Sequence, residues 1–229
     1  CIRLTPKTFP VLPINLKMLL HNFTYVLLGG LIFLAIRGGV GRSTMNIGNA
    51  YFSENTYMNH AAVNPAFSLM YSWNKSENFA EKYSYLDEHK RAACYAPLYP
   101  ASTEDCTRQL LRATRPNILI IILEGFGGEY IEELGGAKNV SPNISRLIRE
   151  GIFFDNVYAN SFRTDRGLVS TLSGHISYPT TSIMKLPAKS RLLPGIARTL
   201  QQAGYQTDFL YGGDINFTNM RSYFTTTGY

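Results

Sequence analysis

The sequence has few cysteines, few clustered charges and no internal repeat, and each shortage excludes a class of protein. Only 3 of its 229 residues are cysteine, and no Cys-x-x-Cys pair occurs, which argues against a zinc knuckle. The 22 basic residues outnumber the 16 acidic ones, giving a formal net charge of +6, but they are scattered along the chain. Since no RNA- or DNA-binding motif is present, we expect no nucleic-acid partner. Membrane-flanking charge and an anion-binding site explain the basic excess better.

The ends of the chain and its cysteines indicate whether it is part of a longer protein and which compartment it occupies. It starts at Cys1 and stops at FTTTGY without a closing element, which indicates a piece of a longer protein. Processing of a lipoprotein signal is the alternative origin of an N-terminal cysteine. Cys94 and Cys106 fall in one polar, loop-like region, where they form a disulfide if the region is extracytoplasmic and otherwise stay free thiols.

The most apolar stretch, INLKMLLHNFTYVLLGGLIFLAI, covers residues 14–36. Its length suits a bilayer span of about 20 residues, and Arg37 and Arg42 follow it. We therefore predict that residues 1–37 end a membrane region with its last transmembrane helix. A buried helix of a soluble domain is the alternative. Because basic residues lie on both sides of this stretch, charge alone does not determine the orientation of the helix in the membrane.

A linker or juxtamembrane helical region is predicted for residues 38–115. It opens with a glycine-rich exit, RGGVGRS, and residues 58–73 have the pattern of an amphipathic helix. A polar stretch rich in Glu, Lys and Ser then covers residues 74–90.

The character of the chain changes at Pro116, where strand and helix patterns begin to alternate. The run NILIIIL (117–123) is apolar on both faces, as in a central strand of a parallel sheet. In SPNISRLIREG, Ser141 is a candidate N-cap, Pro142 suits the first helical position and Gly151 ends the helix. The alternation predicts an α/β fold with a mainly parallel sheet flanked by helices over residues 116–229. Further strands are predicted at IFFDNVYA and YQTDFLYGG, and further helices at residues 164–172 and 193–204.

Two polar features fall where strands are predicted to end, which is where open α/β sheets bind ligands. Glu124 directly follows the first strand in LEGFGG, and a carboxylate fixed there suits a divalent cation. Capping of the next helix is the alternative role. Thr164, in SFRTDRGLVSTLSG, is predicted to be the N-cap of a helix that starts at Asp165, so that its hydroxyl lies at the positive end of the helix dipole.

Charged and polar residues near Thr164 complete the candidate site. Arg163 and Arg166 are complementary to phosphate or sulfate. His175 is predicted to line the pocket, and Asp214 to face it from the end of another strand, with turn formation as the alternative. Asp165 is interpreted as a first-turn acid that complements the helix dipole. The alternative for Thr164 itself is a helix cap without chemistry.

Residues 116–174 resemble the alkaline-phosphatase/sulfatase superfamily. PNILIIILEGFG is similar to the family's first strand and first metal ligand, and SPNISRLIREGIFFDNVYAN to the segment that follows. TDRGLVSTLSG resembles the helix that carries the nucleophile, with Gly174 ten residues after Thr164. This resemblance implies that Thr164 is the nucleophile.

The departures from the sulfatase pattern indicate a branch of that superfamily. A Type I sulfatase oxidises Cys or Ser to formylglycine, and Thr cannot supply that aldehyde. Glu124 followed by Gly125 replaces two successive aspartates. Glu and then Thr resemble the lipoteichoic acid synthase and phosphoglycerol transferase branch, whose members are membrane-embedded with an extracytoplasmic catalytic domain. The resemblance therefore implies a bacterial cytoplasmic-membrane protein with Arg37 on the outer side.

That resemblance also implies a mechanism, a cofactor and partners. Glu124 and Thr164 bind one divalent cation, Mn²⁺ or alternatively Zn²⁺ or Mg²⁺, while Thr164 attacks a phospholipid and passes the phosphoglycerol group to an envelope glycan or polymer. In YGGDINFTNMRSYF, Thr218 and Met220 stand where such synthases carry Trp and Arg, so phosphoethanolamine transfer and hydrolysis of sulfate or phosphate esters stay open. A catalytically silent sensor or scaffold is a third hypothesis.

Overall fold

The computed structural model describes residues 15–41, 43–74, 78–98, 105 and 109–229. These residues divide between two compact units, one formed by Cys1–Asn64 with Ala159–Tyr229 and the other by Pro65–Tyr158. Their α-helices are α1 (Leu16–Arg37), α2 (Thr56–Ala62), α3 (Pro65–Asn74), α4 (Phe79–Lys82), α5 (Glu88–Tyr95), α6 (Pro142–Glu150), α7 (Thr164–Ser173), α8 (Pro187–Ser190), α9 (Ile196–Gln202) and α10 (Met220–Thr227). The predicted domain boundaries at residues 37 and 115 stay a prediction.

Helix α1 is the one helix in the described residues that is long and apolar enough to cross a membrane. It has 22 residues, a mean hydropathy of 1.9 and no buried side chain. At about 1.5 Å per residue it is long enough for a hydrocarbon core of about 30 Å. Gly38 ends it in the left-handed conformation, at φ 87°. A membrane anchor and a signal sequence both fit this helix, and the predicted flanking Arg42 lies outside the described residues.

The segment after α1 packs onto the C-terminal part of the same unit. The Asn46 side-chain amide donates a 2.9 Å hydrogen bond to the carbonyl of Asn216, and the backbone N–H of Gly48 donates to Oδ1 of Asn219 at 3.2 Å. Gly48 is buried at this contact, and a Cβ atom at position 48 would lie only 2.9 Å from Asn219 Oδ1, so the close approach requires glycine. Part of the predicted linker is therefore built into this unit.

The amphipathic helix predicted over residues 58–73 is two helices. Helix α2 ends at Ala62 and α3 begins at Pro65. The proline ring restricts the residue before it to extended backbone and removes one N–H donor, so a continuous helix cannot pass this point. Farther along, Cys94 is an exposed free thiol, and Cys106 lies outside the described residues.

In the unit 65–158, helix α6 is attached to the preceding 3₁₀ turn Glu132–Leu134. Glu133 accepts a hydrogen bond from the Ser145 hydroxyl at 2.9 Å and pairs with the Arg149 guanidinium at 3.5 Å. The predicted bounds of this helix are confirmed, with Ser141 as N-cap and Pro142 first. The Ser141 hydroxyl does not cap the helix; it donates to the carbonyl of Tyr130.

No β-strand occurs in the described residues, so the predicted parallel sheet stays unconfirmed. Residues 117–123 have neither helix nor strand structure, and their large apolar side chains are 45–84% exposed. A strand exists only when its backbone groups pair with a neighbour, and this run finds no such neighbour in the described part of the chain. The segments 152–159 and 205–213 likewise lack strand pairing.

The core of the other unit forms around α7, α10 and the 3₁₀ turn Ile183–Lys185. Burial of such side chains contributes about 1.5–3 kcal/mol each, which fixes the relative position of the three elements. Ser173 at the end of α7 and Tyr223 in the middle of α10 share a buried 2.6 Å hydrogen bond between their hydroxyls. The core consists of Leu168, Val169, Leu172, Met184, Met220, Tyr223 and Phe224.

Candidate functional site

Thr164 is the first residue of α7, and the predicted N-cap position belongs to Arg163 instead. The Arg163 backbone is extended, at φ −113° and ψ 136°, and its carbonyl accepts the N–H groups of Arg166 at 3.1 Å and Gly167 at 2.8 Å. The predicted start of the helix at Thr164 is therefore confirmed, and the N-cap role predicted for Thr164 is wrong. Thr164 is half-buried, and it still lies in the first turn, where N–H groups point outward and the helix dipole is positive.

Helix α7 holds Thr164 on a rigid support. Its apolar face carries Leu168, Val169 and Leu172 into the core, where they are at most 5% exposed. Gly174 ends the helix in the left-handed conformation, at φ 64°, which glycine adopts without steric cost. The predicted helix over residues 164–172 is confirmed, with one further residue, Ser173, at its end.

The first turn of α7 carries a buried acid between two cations. The Asp165 side chain is 3% exposed. Its Oδ1 lies 3.4 Å from Nε of Arg163, and its Oδ2 lies 3.8 Å from Nζ of Lys185. Burial of a carboxylate is unfavourable unless it is paired with positive charge, and these two cations supply that charge. Asp165 does lie in the first turn, as predicted, and it also forms ion pairs there.

Arg166 faces a different direction from Arg163. Its Nη1 donates a 2.9 Å hydrogen bond to the carbonyl of Pro179, and its guanidinium carbon lies 5.9 Å from the ring centre of Phe162. Its buried Nε has no hydrogen-bond partner in the described residues. Arg166 thus ties the first turn of α7 to the loop that follows the helix. Its predicted contact with substrate stays a prediction.

A small pocket opens between α7 and the loop that follows it. Its enclosed volume is about 10 Å³, which is about the space that one water molecule needs. Its lining consists of Arg166, Val169, His175, Ser177, Tyr178, Thr181 and Ile183.

His175 lines this pocket, as predicted. Its ring packs edge-on against Tyr178, with 5.4 Å between ring centres. Partial burial holds the pKa of the imidazole below its usual value of 6.5, although a hydrogen bond with the backbone of Ile176 opposes the shift. The ring is therefore neutral at pH 7, so it suits a hydrogen-bonding role better than an ionic contact with an anion.

Asp214 lies in a turn and is not part of the pocket lining. Its carboxylate accepts hydrogen bonds from the Ser43 hydroxyl and from the backbone N–H of Asn216, the latter at 2.9 Å. These two bonds hold the pKa of Asp214 below its usual value of 3.8, the Ser43 bond contributing most. Turn formation, the alternative considered from the sequence, describes these contacts. A contact of Asp214 with substrate stays a prediction.

Glu124 belongs to the unit 65–158. It is exposed and forms a turn with Gly125, whose φ is 68°, directly after the apolar run. No group of three or more His, Cys, Asp or Glu side chains gathers anywhere in the described residues. Because a divalent cation requires about four to eight ligands, the described residues do not by themselves fit a metal centre.

Sequence reasoning missed Lys185, Ser173 and Tyr223. Lys185 lies 20 positions from Asp165, and Ser173 lies 50 positions from Tyr223. No local pattern in the sequence signals pairs at such separations.

Comparison with known proteins shows what the second half of the chain is similar to. Residues 116–229 match the family model described as Sulfatase. An N-acetylglucosamine-6-O-sulfatase of Bacteroides thetaiotaomicron is 30% identical over 115 residues, covering 48% of this chain and 20% of that protein. An ulvan-active sulfatase of Formosa agariphila is 31% identical over 117 residues, covering 45% of this chain and 20% of that protein. The chain thus spans about a fifth of the length of these curated relatives, and no solved structure matches it significantly.

Proposed function

We propose that the protein is a membrane-anchored phosphotransferase with Thr164 as its nucleophile. The premise is that residues 116–229 belong to a sulfatase-family domain of the alkaline phosphatase/sulfatase superfamily. The transferred group is a phosphoglycerol-type group, the donor is a phospholipid and the acceptor is an envelope glycan or polymer. The observation that carries this proposal is a threonine at the first position of α7, in place of the Cys or Ser that a formylglycine sulfatase oxidises.

The surroundings of Thr164 support attack on a phosphate ester. The first turn of α7 presents N–H groups and a positive dipole end to an anion. Arg163 adds a guanidinium, which is suited to bidentate contact with phosphate oxygens. In the proposed step the Thr164 Oγ–phosphorus bond forms and the bond from phosphorus to the lipid alcohol breaks. The Thr164 proton is released to water, and the departing alkoxide takes a proton from water.

The short link between α1 and the catalytic unit supports a substrate that is held in a membrane. Ser43, six residues after the end of α1, donates to Asp214. Six residues span at most about 22 Å, so Ser43 lies within that distance of the end of α1, and the turn at Asp214 is hydrogen-bonded to it. With α1 as a membrane anchor, this turn lies near the lipid headgroups. The corresponding location is the bacterial cytoplasmic membrane, with the catalytic domain on its outer side.

Domains of this family typically use a divalent cation, for which Mn²⁺, Zn²⁺ and Mg²⁺ are candidates. Bound near the nucleophile, such a cation lowers the pKa of a hydroxyl and polarises a phosphoryl oxygen. Glu124 and Thr164 are the ligands proposed from the sequence, and two ligands do not complete a coordination sphere. The proposed attack of Thr164 on the phosphate ester therefore involves only residues of this chain.

Hydrolysis of sulfate esters is the second candidate function. The relatives from Bacteroides thetaiotaomicron and Formosa agariphila are named as sulfatases, which favours it. With a threonine nucleophile, this reaction would pass through a sulfo-threonine that water cleaves, instead of through a formylglycine aldehyde.

Peptide mass spectrometry on the full-length protein, in detergent with phosphatidylglycerol and Mn²⁺, tests the proposal. We expect a glycerophosphate adduct on the peptide that contains Thr164, and none after Thr164→Ala. Thr171→Ala is the matched control, because it removes the same atoms from an exposed position of the same helix. We expect this control to keep the adduct.

The other outcomes separate the alternatives. Release of sulfate from 4-nitrophenyl sulfate, dependent on Thr164 and without any phospholipid adduct, would establish the hydrolase. If Thr164→Ala and Glu124→Ala both left the biological role intact, neither reaction would account for it, and the silent-scaffold hypothesis would stand.

A further inference from the structure

We infer that Asp165 is a positioning residue that holds Lys185 at the first turn of α7, and that Lys185 is a second cation for the anionic group of the substrate. The role of Lys185 toward substrate rests on the proposed function. The pairing of the three charged side chains rests on their geometry alone.

The geometry around Asp165 is unusual for an acid that only complements a helix dipole. An acid with that task alone can remain in solvent, whereas the Asp165 side chain is 3% exposed. Its Oδ2 accepts no hydrogen bond in the described part of the chain. The nearest cation to this oxygen is the Lys185 ammonium at 3.8 Å, an ion-pair distance that is too long for a hydrogen bond. The buried carboxylate is therefore stabilised mainly by the charges of Lys185 and Arg163.

Lys185 reaches this position because its turn is anchored in the core. It ends the 3₁₀ turn Ile183–Lys185, and the preceding Met184 is fully buried against α7 and α10. The Lys185 side chain is 39% exposed and that of Arg163 46%. Both cations therefore lie at the surface end of the α7 first turn, with the carboxylate beneath them.

The arrangement suits a tetrahedral anion at Thr164. An ammonium carries three N–H donors and a guanidinium five, so each can contact more than one oxygen atom. The first turn of a helix adds backbone N–H groups and a positive dipole end. Phosphate and sulfate groups present several oxygens, which two cations and a helix end can contact together. Arg163 and Arg166 are the anion-binding residues predicted from the sequence. Lys185, in a turn 20 residues after Asp165, is a further candidate for contact with phosphate or sulfate.

The first test removes the Lys185 charge. Lys185→Met keeps most of the side-chain volume, Lys185→Arg restores the charge, and Lys189→Met is the matched control, since Lys189 is exposed on α8 and absent from this cluster. For Lys185→Met we expect about a tenfold rise in both the KM for donor and the inhibition constant of inorganic phosphate, as for loss of a hydrogen bond to a charged group. Lys185→Arg should recover most of the loss, and Lys189→Met should change either value less than twofold.

The second test separates positioning from simple electrostatics. Asp165→Asn preserves shape and removes one negative charge near the anion site. If Asp165 acted only through its charge, phosphate would bind more tightly after this change. A positioning role predicts the opposite sign, about a tenfold weaker binding of phosphate, because Lys185 and Arg163 lose the carboxylate that holds them. The double variant Asp165→Asn/Lys185→Met should bind phosphate no more weakly than either single variant.

Phosphate binding by calorimetry in Thr164→Ala protein keeps this inference distinct from the proposed reaction. If phosphate binds to Thr164→Ala protein with Lys185 dependence, while wild-type protein turns over no ester and forms no Thr164 adduct, the reaction is wrong and the inference stands. If the Thr164 adduct forms normally and Lys185→Met changes neither constant, the inference alone is overturned. Tighter phosphate binding by Asp165→Asn, or the absence of phosphate binding by wild type, also overturns it. Melting temperatures are recorded for every variant, and a variant that fails to fold is replaced by Lys185→Gln or Asp165→Glu.

Discussion

The hydrogen bond between Ser173 and Tyr223 should contribute measurably to stability, because it is the buried polar contact that joins the Thr164 helix to α10. The two hydroxyl oxygens lie 2.6 Å apart, and Tyr223 is completely buried. Tyr223→Phe leaves the Ser173 hydroxyl buried without this partner, and Ser173→Ala does the same to the Tyr223 hydroxyl.

The magnitude follows from what each change leaves behind. A buried polar group that loses its partner costs about 1–3 kcal/mol, whereas removing both partners of a hydrogen bond is close to neutral apart from lost packing. We therefore expect each single variant to lower the free energy of unfolding by about 1–3 kcal/mol. The double variant should lower it by clearly less than the sum, with a coupling of about 1 kcal/mol or more.

Urea unfolding of the full-length protein in detergent, followed by tyrosine fluorescence and circular dichroism, measures this cycle. Tyr211→Phe is the matched control: it removes the same hydroxyl from a tyrosine at the edge of the same core, and we expect a change below about 0.5 kcal/mol. If the two single effects simply added, Ser173 and Tyr223 would not interact and the account of how α7 is fixed would be wrong.

Two further predictions follow from burial and close packing. Burial raises the pKa of Tyr223 to about 12 from its usual 10.0, so between these values the unfolded chain loses a proton that the folded chain keeps. Stability should fall by about 1.4 kcal/mol per pH unit above pH 10 on this account, and an equally steep fall in Tyr223→Phe would contradict it. Gly48→Ala should lower stability by about 1–3 kcal/mol, since the new methyl group meets Asn219 Oδ1 at 2.9 Å; an unchanged melting temperature would refute this, with the open Gly41→Ala as control.

The elements predicted correctly are those that local residues specify. Pro142 starts α6 and Gly174 ends α7, because each residue has a backbone preference that acts whatever the rest of the chain does. The N-cap error at Thr164 has the same local origin. Threonine is favoured as a cap, and the sequence does not show that the carbonyl of Arg163 closes the first turn instead.

What the sequence did not predict depends on contacts between distant residues. Ser43 donates a hydrogen bond to Asp214 and Asn46 donates one to Asn216, each across some 170 positions. Because of these bonds, part of the segment that was predicted to be a linker packs into the folded unit. The predicted sheet depends on pairing of the same kind: residues 117–123 have the composition of a central strand, but composition does not supply the neighbouring strand. The position of Lys185 was missed for the same reason, because the burial of Met184 brings its turn to α7.

These long-range contacts connect the apolar helix to the candidate nucleophile through packed elements. The segment after α1 docks on the residues around Asn216 and Asn219, Asn219 directly precedes α10, and α10 holds α7 through Tyr223. Packed interiors transmit position because side chains have little room to shift. The distance from the end of α1 to Thr164 is therefore set by packing and not by the length of a flexible linker. The proposal of a lipid-borne donor therefore predicts that, with α1 in a membrane, Thr164 lies at a fixed height above the bilayer.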